Sequence, residues 1–229
     1  MNDRTTDLAQ FDQGWLAAME QTPFVKAIIA LSGLTRLGER PASVQRLATI
    51  LNLSDSETAA LVRQEFTARI ENGLIHWDDP YPGDQIRRVV HLGDRQVPMS
   101  SGCGPDVFTF AAVLDVPFRV EETCPTTGTP IRIDFVPGGV ERVDPPEAVT
   151  VLLHPQDFSD SVGGHFDEIN ATVCTYQPFF ASAEAAKPAL AARPGSRAFT
   201  VQEMLERPWF SYYRDTLRPL IHPTTRAAT

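Results

Sequence analysis

Apolar residues recur at three- and four-residue spacing over the first third of the chain and alternate with polar ones over the middle, so helices are expected first and strands afterwards. Leu8, Phe11, Trp15, Leu16 and Met19 mark one helical face, and Phe24, Ile28 and Leu31 continue it beyond Thr22-Pro23. Proline there predicts two helices, or one that is broken. Ser43 stands ahead of Val44, Leu47 and Leu51. Asn52-Leu53 turns the chain, and Ser54-Asp55-Ser56-Glu57 has the capping-box form that opens a further helix carrying Leu61, Val62, Phe66 and Ile70. After Gly73, β-like runs at 74–77 and 85–92 flank a turn-rich stretch at 78–84. Helix, turn, helix and hairpin outline a winged helix.

Beyond residue 98 the texture changes. Pro105 suits the first turn of a helix that buries Val107, Phe108, Ala111 and Leu114. Phe118 and Val120 then alternate with Arg119 and Glu121, and Ile131, Ile133 and Phe135 with Arg132 and Asp134. These are strands, joined through Pro137-Gly138-Gly139 to a partner at 140–143 and followed by another at 149–153, which predicts an antiparallel sheet. Residues 165–176 fit helix or strand equally, while 183–192 read as a helix closed by Pro194-Gly195. The expected class is α+β. A winged-helix-like helical domain at 1–92 precedes a domain at 93–229 with a mainly antiparallel sheet and flanking helices.

The chain has 229 residues, 42% of them hydrophobic, enough for a packed core. Its formal charge of -9 makes nucleic acid an unlikely partner. The helix opened by Ser54 carries Arg63 and Arg69 against Asp55, Glu57, Glu65 and Glu71, a poor composition for entering a DNA groove. No apolar run approaches the ~20 residues of a membrane span. The polar start, Met1-Asn2-Asp3-Arg4, lacks the features of a secretory signal, so a cytoplasmic protein without membrane partners is expected. Three cysteines suit reduced thiols better than a disulfide framework.

Those cysteines carry the chemistry. Cys103 lies just ahead of the helix that Pro105 starts, where unpaired backbone N–H groups favour a thiolate. Asp106 falls in the same first turn, and its negative charge acts in the opposite sense, so the two groups can share a proton. Taken alone, Cys174 would be a core cysteine and Asp106 a helix N-terminal acid. Cys124, in Cys124-Pro125-Thr126-Thr127-Gly128, looks like half of a zinc knuckle whose other half is missing. None of His76, His91, His154, His165 and His222 has ligand spacing, so Cys124 is read as a structural turn cysteine. Nucleophile elbows, phosphate loops and dinucleotide fingerprints are absent from the sequence.

In combination the motifs resemble the alkylmercury (organomercurial) lyases. The resemblance rests on Cys103-Gly-Pro-Asp106, Arg119-Val-Glu121, Cys124-Pro-Thr-Thr-Gly128-Thr-Pro130-Ile131 and Gly139-Val-Glu141. Val173-Cys174 followed by Phe179-Phe180-Ala181-Ser182-Ala183-Glu184 adds to it. It implies that Cys103 and Cys174 grip the mercury of an organomercurial, that Asp106 handles the proton that replaces mercury on carbon, and that Cys124 is structural. The implied reaction is protonolysis to a hydrocarbon and Hg(II). Its partners would be a small organomercurial substrate and a thiol that accepts the metal, and no organic cofactor is required. The chain departs from the family at Met99-Ser100-Ser101-Gly102, at Gly104-Pro105 and at Thr175-Tyr176-Gln177-Pro178. A paralogue acting on another thiophilic compound, and a thiol metal-binding or sensor protein, are the alternatives.

Overall fold

The computed structural model describes residues 7–20, 22–66, 68–77, 88–99, 103–161 and 171–222. The 78–84 turn, the start of the 85–92 run, residues 100–102, part of the 165–176 segment and the tail after 222 lie outside the described residues. Helices α1 (Leu8–Glu20) and α2 (Pro23–Arg36) are separate, with Pro23 at the start of the second. A short strand β1 (Ala42–Ser43) leads into α3 (Val44–Leu51), capped by Ser43 Oγ accepting from Arg46 N at 3.0 Å. Asn52 turns the chain in the left-handed region at φ 56°. Ser54 and Glu57 then form the expected reciprocal cap on α4 (Asp55–Glu65).

Two pairings differ from the sequence expectation. The fourth helix ends at Glu65, and Ile70 lies instead in β2 (Arg69–Glu71), which forms the hairpin with β3 (Leu74–His76). Asn72 and Gly73 both have positive φ, 51° and 75°, the demand of a two-residue hairpin turn whose twist matches its strands. The strand β4 (Arg88–Leu92) pairs with β5 (Arg95–Met99) and β6 (Phe118–Thr123), not with the 74–77 run. Its burial alternates residue by residue, so it needs a sheet with one covered face, which the short β2–β3 hairpin does not offer.

With β7 (Pro130–Val136) and β8 (Gly139–Asp144), these strands form a five-stranded antiparallel sheet in the order β5-β4-β6-β7-β8. The strand β9 (Val149–Leu152), expected beside β8, is the centre of a separate three-stranded sheet. There it lies between β10 (Phe179–Phe180) and β11 (Arg197–Thr200). All four of its residues are buried, as befits a strand covered on both faces.

Between the sheets and the N-terminal helices runs α5 (Gly104–Leu114), almost entirely buried. Phe108 meets Phe135 edge-on at 5.8 Å and Phe179 at 6.0 Å, while Phe118 stacks on Phe135 at 4.6 Å. Burying each such ring contributes roughly 1.5–3 kcal/mol, so α5 is held firmly and its N-terminus is a fixed platform. The remaining described helices are α6 (Pro155–Ser161), α7 (Ala183–Ala192), α8 (Val201–Leu205), α9 (Pro208–Thr216) and α10 (Arg218–Ile221). A 3₁₀ turn spans Cys174–Tyr176. Mixed helix and antiparallel sheet make this an α+β protein. No helix among the described residues is long and apolar enough to cross a membrane.

Candidate active site

Cys103 is the N-cap of α5 and Asp106 lies in its first turn, as the position of Pro105 predicts. The Cys103 amide donates to Asp106 Oδ2 at 2.8 Å, which turns the carboxylate back toward the cysteine. The next residue brings in the distant thiol: Gly104 N donates to the Gln177 carbonyl at 2.6 Å and so ties the Cys174–Tyr176 turn to the start of α5. A β-carbon at Gly104 would lie 2.4 Å from Thr150 Oγ1 and 3.1 Å from the Gln177 carbonyl oxygen. Only glycine allows this approach. As a result the ligand atoms of Cys103, Asp106 and Cys174 all fall within 4.8 Å of one another, although Cys174 is far away in sequence.

Cys103 and Asp106 both hold a proton more tightly than the free groups do. The Cys103 thiol is pushed well above the usual thiol range, first by its hydrogen bond with Cys174, then by burial and by the negative charge of Asp106. The helix N-terminus was expected to favour a thiolate at Cys103; in the folded chain these opposing effects win, and the resting group is a thiol. Burial also raises Asp106, against the Cys103 hydrogen bonds and the guanidinium groups of Arg88 and Arg36, which favour its ionised form. The site therefore holds a thiol next to a carboxyl group of raised proton affinity.

Arg88 supports it from behind. Its side chain is 1% exposed, Nε donates to Glu122 Oε2 at 2.8 Å, and Nη1 donates to the Cys103 carbonyl at 2.7 Å. Cross-strand register places Arg88 opposite Glu122, so the ion pair is a product of β4–β6 pairing. A buried guanidinium that is ion-paired with Glu122 and holds the N-cap of α5 fixes Cys103 in place.

A cavity of about 70 Å³ opens on the trio. Its other walls come mainly from the first two helices: Trp15 and Met19 of α1, and Phe24, Ile28, Ile29 and Ser32 of α2, with Phe158 of α6. Trp15 packs at a tilt against Phe158, with ring centroids 4.6 Å apart, and its indole N–H donates to the Leu153 carbonyl at 2.9 Å. Leu153 N donates in turn to Gln177 Oε1 at 3.1 Å, so one residue links the cavity wall to the Cys174 turn. The helical periodicity showed that Trp15, Phe24 and Ile28 face inward but not what they face. Gly104, Gln177, Arg88 and Ser32 had no signal in a single sequence, because each acts through a partner remote along the chain. Tyr176 points away, exposed and under the Arg193 guanidinium at 3.9 Å.

Cys124 stands apart from the trio. It is buried in the turn between β6 and β7, where its amide donates to the Thr129 carbonyl and its carbonyl accepts from Gly128 N, both at 2.9 Å. Burial raises its proton affinity, but hydrogen bonds from Thr127, Thr126 and Ala181 outweigh that and hold the thiol below its ordinary value.

Two thiols and a carboxylate converging in a mainly apolar cavity of an α+β fold are a donor set whose chemistry suits a soft metal. The alkylmercury lyase family model matches residues 88–211, more than half of the chain and all of the trio. The chain belongs to the alkylmercury lyase family. It is 28% identical over 134 residues to the alkylmercury lyase of Bacillus cereus, a match covering 54% of this chain and 58% of that protein. To the alkylmercury lyase of Pseudomonas putida it is 26% identical over 177 residues, covering 71% and 72%. The mercury-bound form of MerB2 has the same fold, with a TM-score of 0.57 over 93% of this chain and all of that one at 13% identity.

Proposed function

We propose that the chain cleaves the carbon–mercury bond of organomercurials by protonolysis, with Cys103 and Cys174 as the metal-holding thiols and Asp106 as the proton carrier. The observation that carries this reading is the convergence of the three ligand atoms within 4.8 Å in an otherwise apolar cavity. A compound R–Hg–X enters with R against the apolar wall. One thiol bonds to mercury, X leaves, and the thiol proton passes to Asp106, since a metal-bound sulfur no longer holds it. The second sulfur gives up its proton, which leaves with X as HX, then bonds to mercury and raises the electron density at the Hg–C bond. Asp106, whose affinity for a proton burial has raised, delivers it to carbon as the bond breaks. The sum is R–Hg–X plus two thiols giving RH, HX and Hg(II) held by two thiolates, which a small thiol or a thiol carrier then removes. Mercury is substrate and product here, and no organic cofactor takes part.

The helix–strand–helix–helix–hairpin order of residues 23–76 supports a winged helix retained for packing, with α2 as a wall of the cavity. The acidic α4 gives no basis for DNA contact. The test is single-turnover hydrolysis of phenylmercury in deuterated water by the wild-type chain and by Cys103→Ala, Cys174→Ala and Asp106→Ala. Monodeuterated benzene from the wild type and at most trace amounts from each variant are expected. Benzene formation that survives loss of Asp106 or of either cysteine would overturn the assignment.

A further inference from the structure

Ser32 carries a hydroxyl that the fold does not use. The residue is 1% exposed, its Oγ has no hydrogen-bond partner among the described residues, and it lines the cavity shared by Cys103, Asp106 and Cys174. A helical serine or threonine commonly satisfies itself on the carbonyl four residues before it. Thr35, one turn on, does so, with Oγ1 on the Leu31 carbonyl at 2.9 Å. Ser32 does not, and a buried unpaired hydroxyl costs stability unless something uses it. Its position along α2 is informative. Phe24 and Ile28 lie toward the start of the helix, whereas Arg36, one turn beyond Ser32, acts electrostatically on Asp106. Ser32 therefore sits toward the polar end of the cavity. The other hydroxyl there, Thr109 Oγ1, is spent on the Asp106 carbonyl at 2.7 Å.

We propose that Ser32 is the hydrogen-bond donor to the exogenous ligand X of R–Hg–X as it leaves. This rests on the lyase reading above. When a cysteine sulfur bonds to mercury and the Hg–X bond breaks, the electron pair of that bond goes to X, which develops as an anion and leaves the site as HX with the proton of the second thiol. At that moment one sulfur is bonded to mercury and Asp106 holds the proton destined for carbon, and the Ser32 O–H remains intact while it donates to X. The requirement is for a donor, and an apolar side chain at position 32 would leave the anion unpaired in a cavity of low polarity.

The experiment uses the full chain with phenylmercury complexed to a series of chromogenic aromatic thiolates of graded basicity. It follows thiol release and benzene release separately after stopped-flow mixing. Ser32→Ala is expected to slow thiol release by roughly 10- to 100-fold for the most basic thiolate, the worth of one hydrogen bond to a charged group. The loss should shrink as the thiolate becomes less basic, while the thermal midpoint stays the same or rises because an unpaired hydroxyl has gone. Ser32→Thr should restore the wild-type dependence. A uniform loss across the series, or no loss, overturns the proposal. Thiol release that depends on Ser32 without any benzene would uphold this assignment and sink the lyase reading instead.

Discussion

Gly104→Ala should destabilise the protein and loosen the site even though alanine is the better helix former. A new β-carbon would stand 2.4 Å from Thr150 Oγ1, 3.2 Å from Thr150 Cβ and 3.1 Å from the Gln177 carbonyl oxygen. Thr150 is buried in the central strand β9 and directs Oγ1 to the Pro178 carbonyl at 3.3 Å, so it cannot rotate away freely. Overpacking of this kind costs about 1–3 kcal/mol, against a helix-propensity gain of at most about 1 kcal/mol at a terminal position. The clash wins. A loss of about 1–2 kcal/mol should lower the thermal midpoint by roughly 2–8 °C in a chain of this size. Relief requires the Cys174 turn to move off α5, so mercury binding should weaken as well. In a Thr150→Ala background the closest contact is gone, and the same substitution should cost about 1 kcal/mol less. Equal stability of Gly104→Ala and wild type in urea, or an identical cost in both backgrounds, would refute the role given to this close approach.

Other consequences follow from the same geometry. Arg88→Ala leaves Glu122 buried without its cation and should cost about 3–5 kcal/mol, most of it recovered in an Arg88→Met, Glu122→Leu double variant, as read from urea midpoints. Cys124→Ala should lower stability by about 1–2 kcal/mol while leaving hydrocarbon release intact, because the cysteine holds a turn and not the metal. Cys103 keeps its proton above the value at which an unfolded thiol ionises, so the folded state binds more protons than the unfolded one from about pH 8.5 upward. Stability should therefore fall as pH rises through that range. The fall should be shallower in Cys103→Ala when urea midpoints are compared at about pH 8 and about pH 10, and equal slopes would remove the raised thiol from consideration.

The reactive groups were more legible in the sequence than the site that contains them. Cys103, Pro105 and Asp106 announce themselves because an N-cap, a helix-starting proline and a first-turn acid follow from local rules that a single chain displays. The joining of Cys174 to them came from resemblance, since nothing local says that Gly104 N will meet the Gln177 carbonyl. Strand alternation located β6, β7 and β8, but which strand pairs with β4 depends on competition between a local Asn72-Gly73 hairpin and a distant sheet edge. Periodicity likewise put Trp15, Phe24 and Ile28 inside without revealing that inside meant the wall of a metal-handling cavity. Arg88 and Ser32 were silent for a related reason: a buried ion pair and an unspent hydroxyl are properties of three-dimensional surroundings.

The most direct measurement is headspace quantification of benzene from purified wild-type chain mixed with excess phenylmercury and excess small thiol. The two thiols and their proton carrier predict sustained release, many equivalents of benzene per protein, as the small thiol strips Hg(II) from Cys103 and Cys174. Stoichiometric capture of phenylmercury with no benzene would contradict that and make the chain a binder of thiophilic metal compounds.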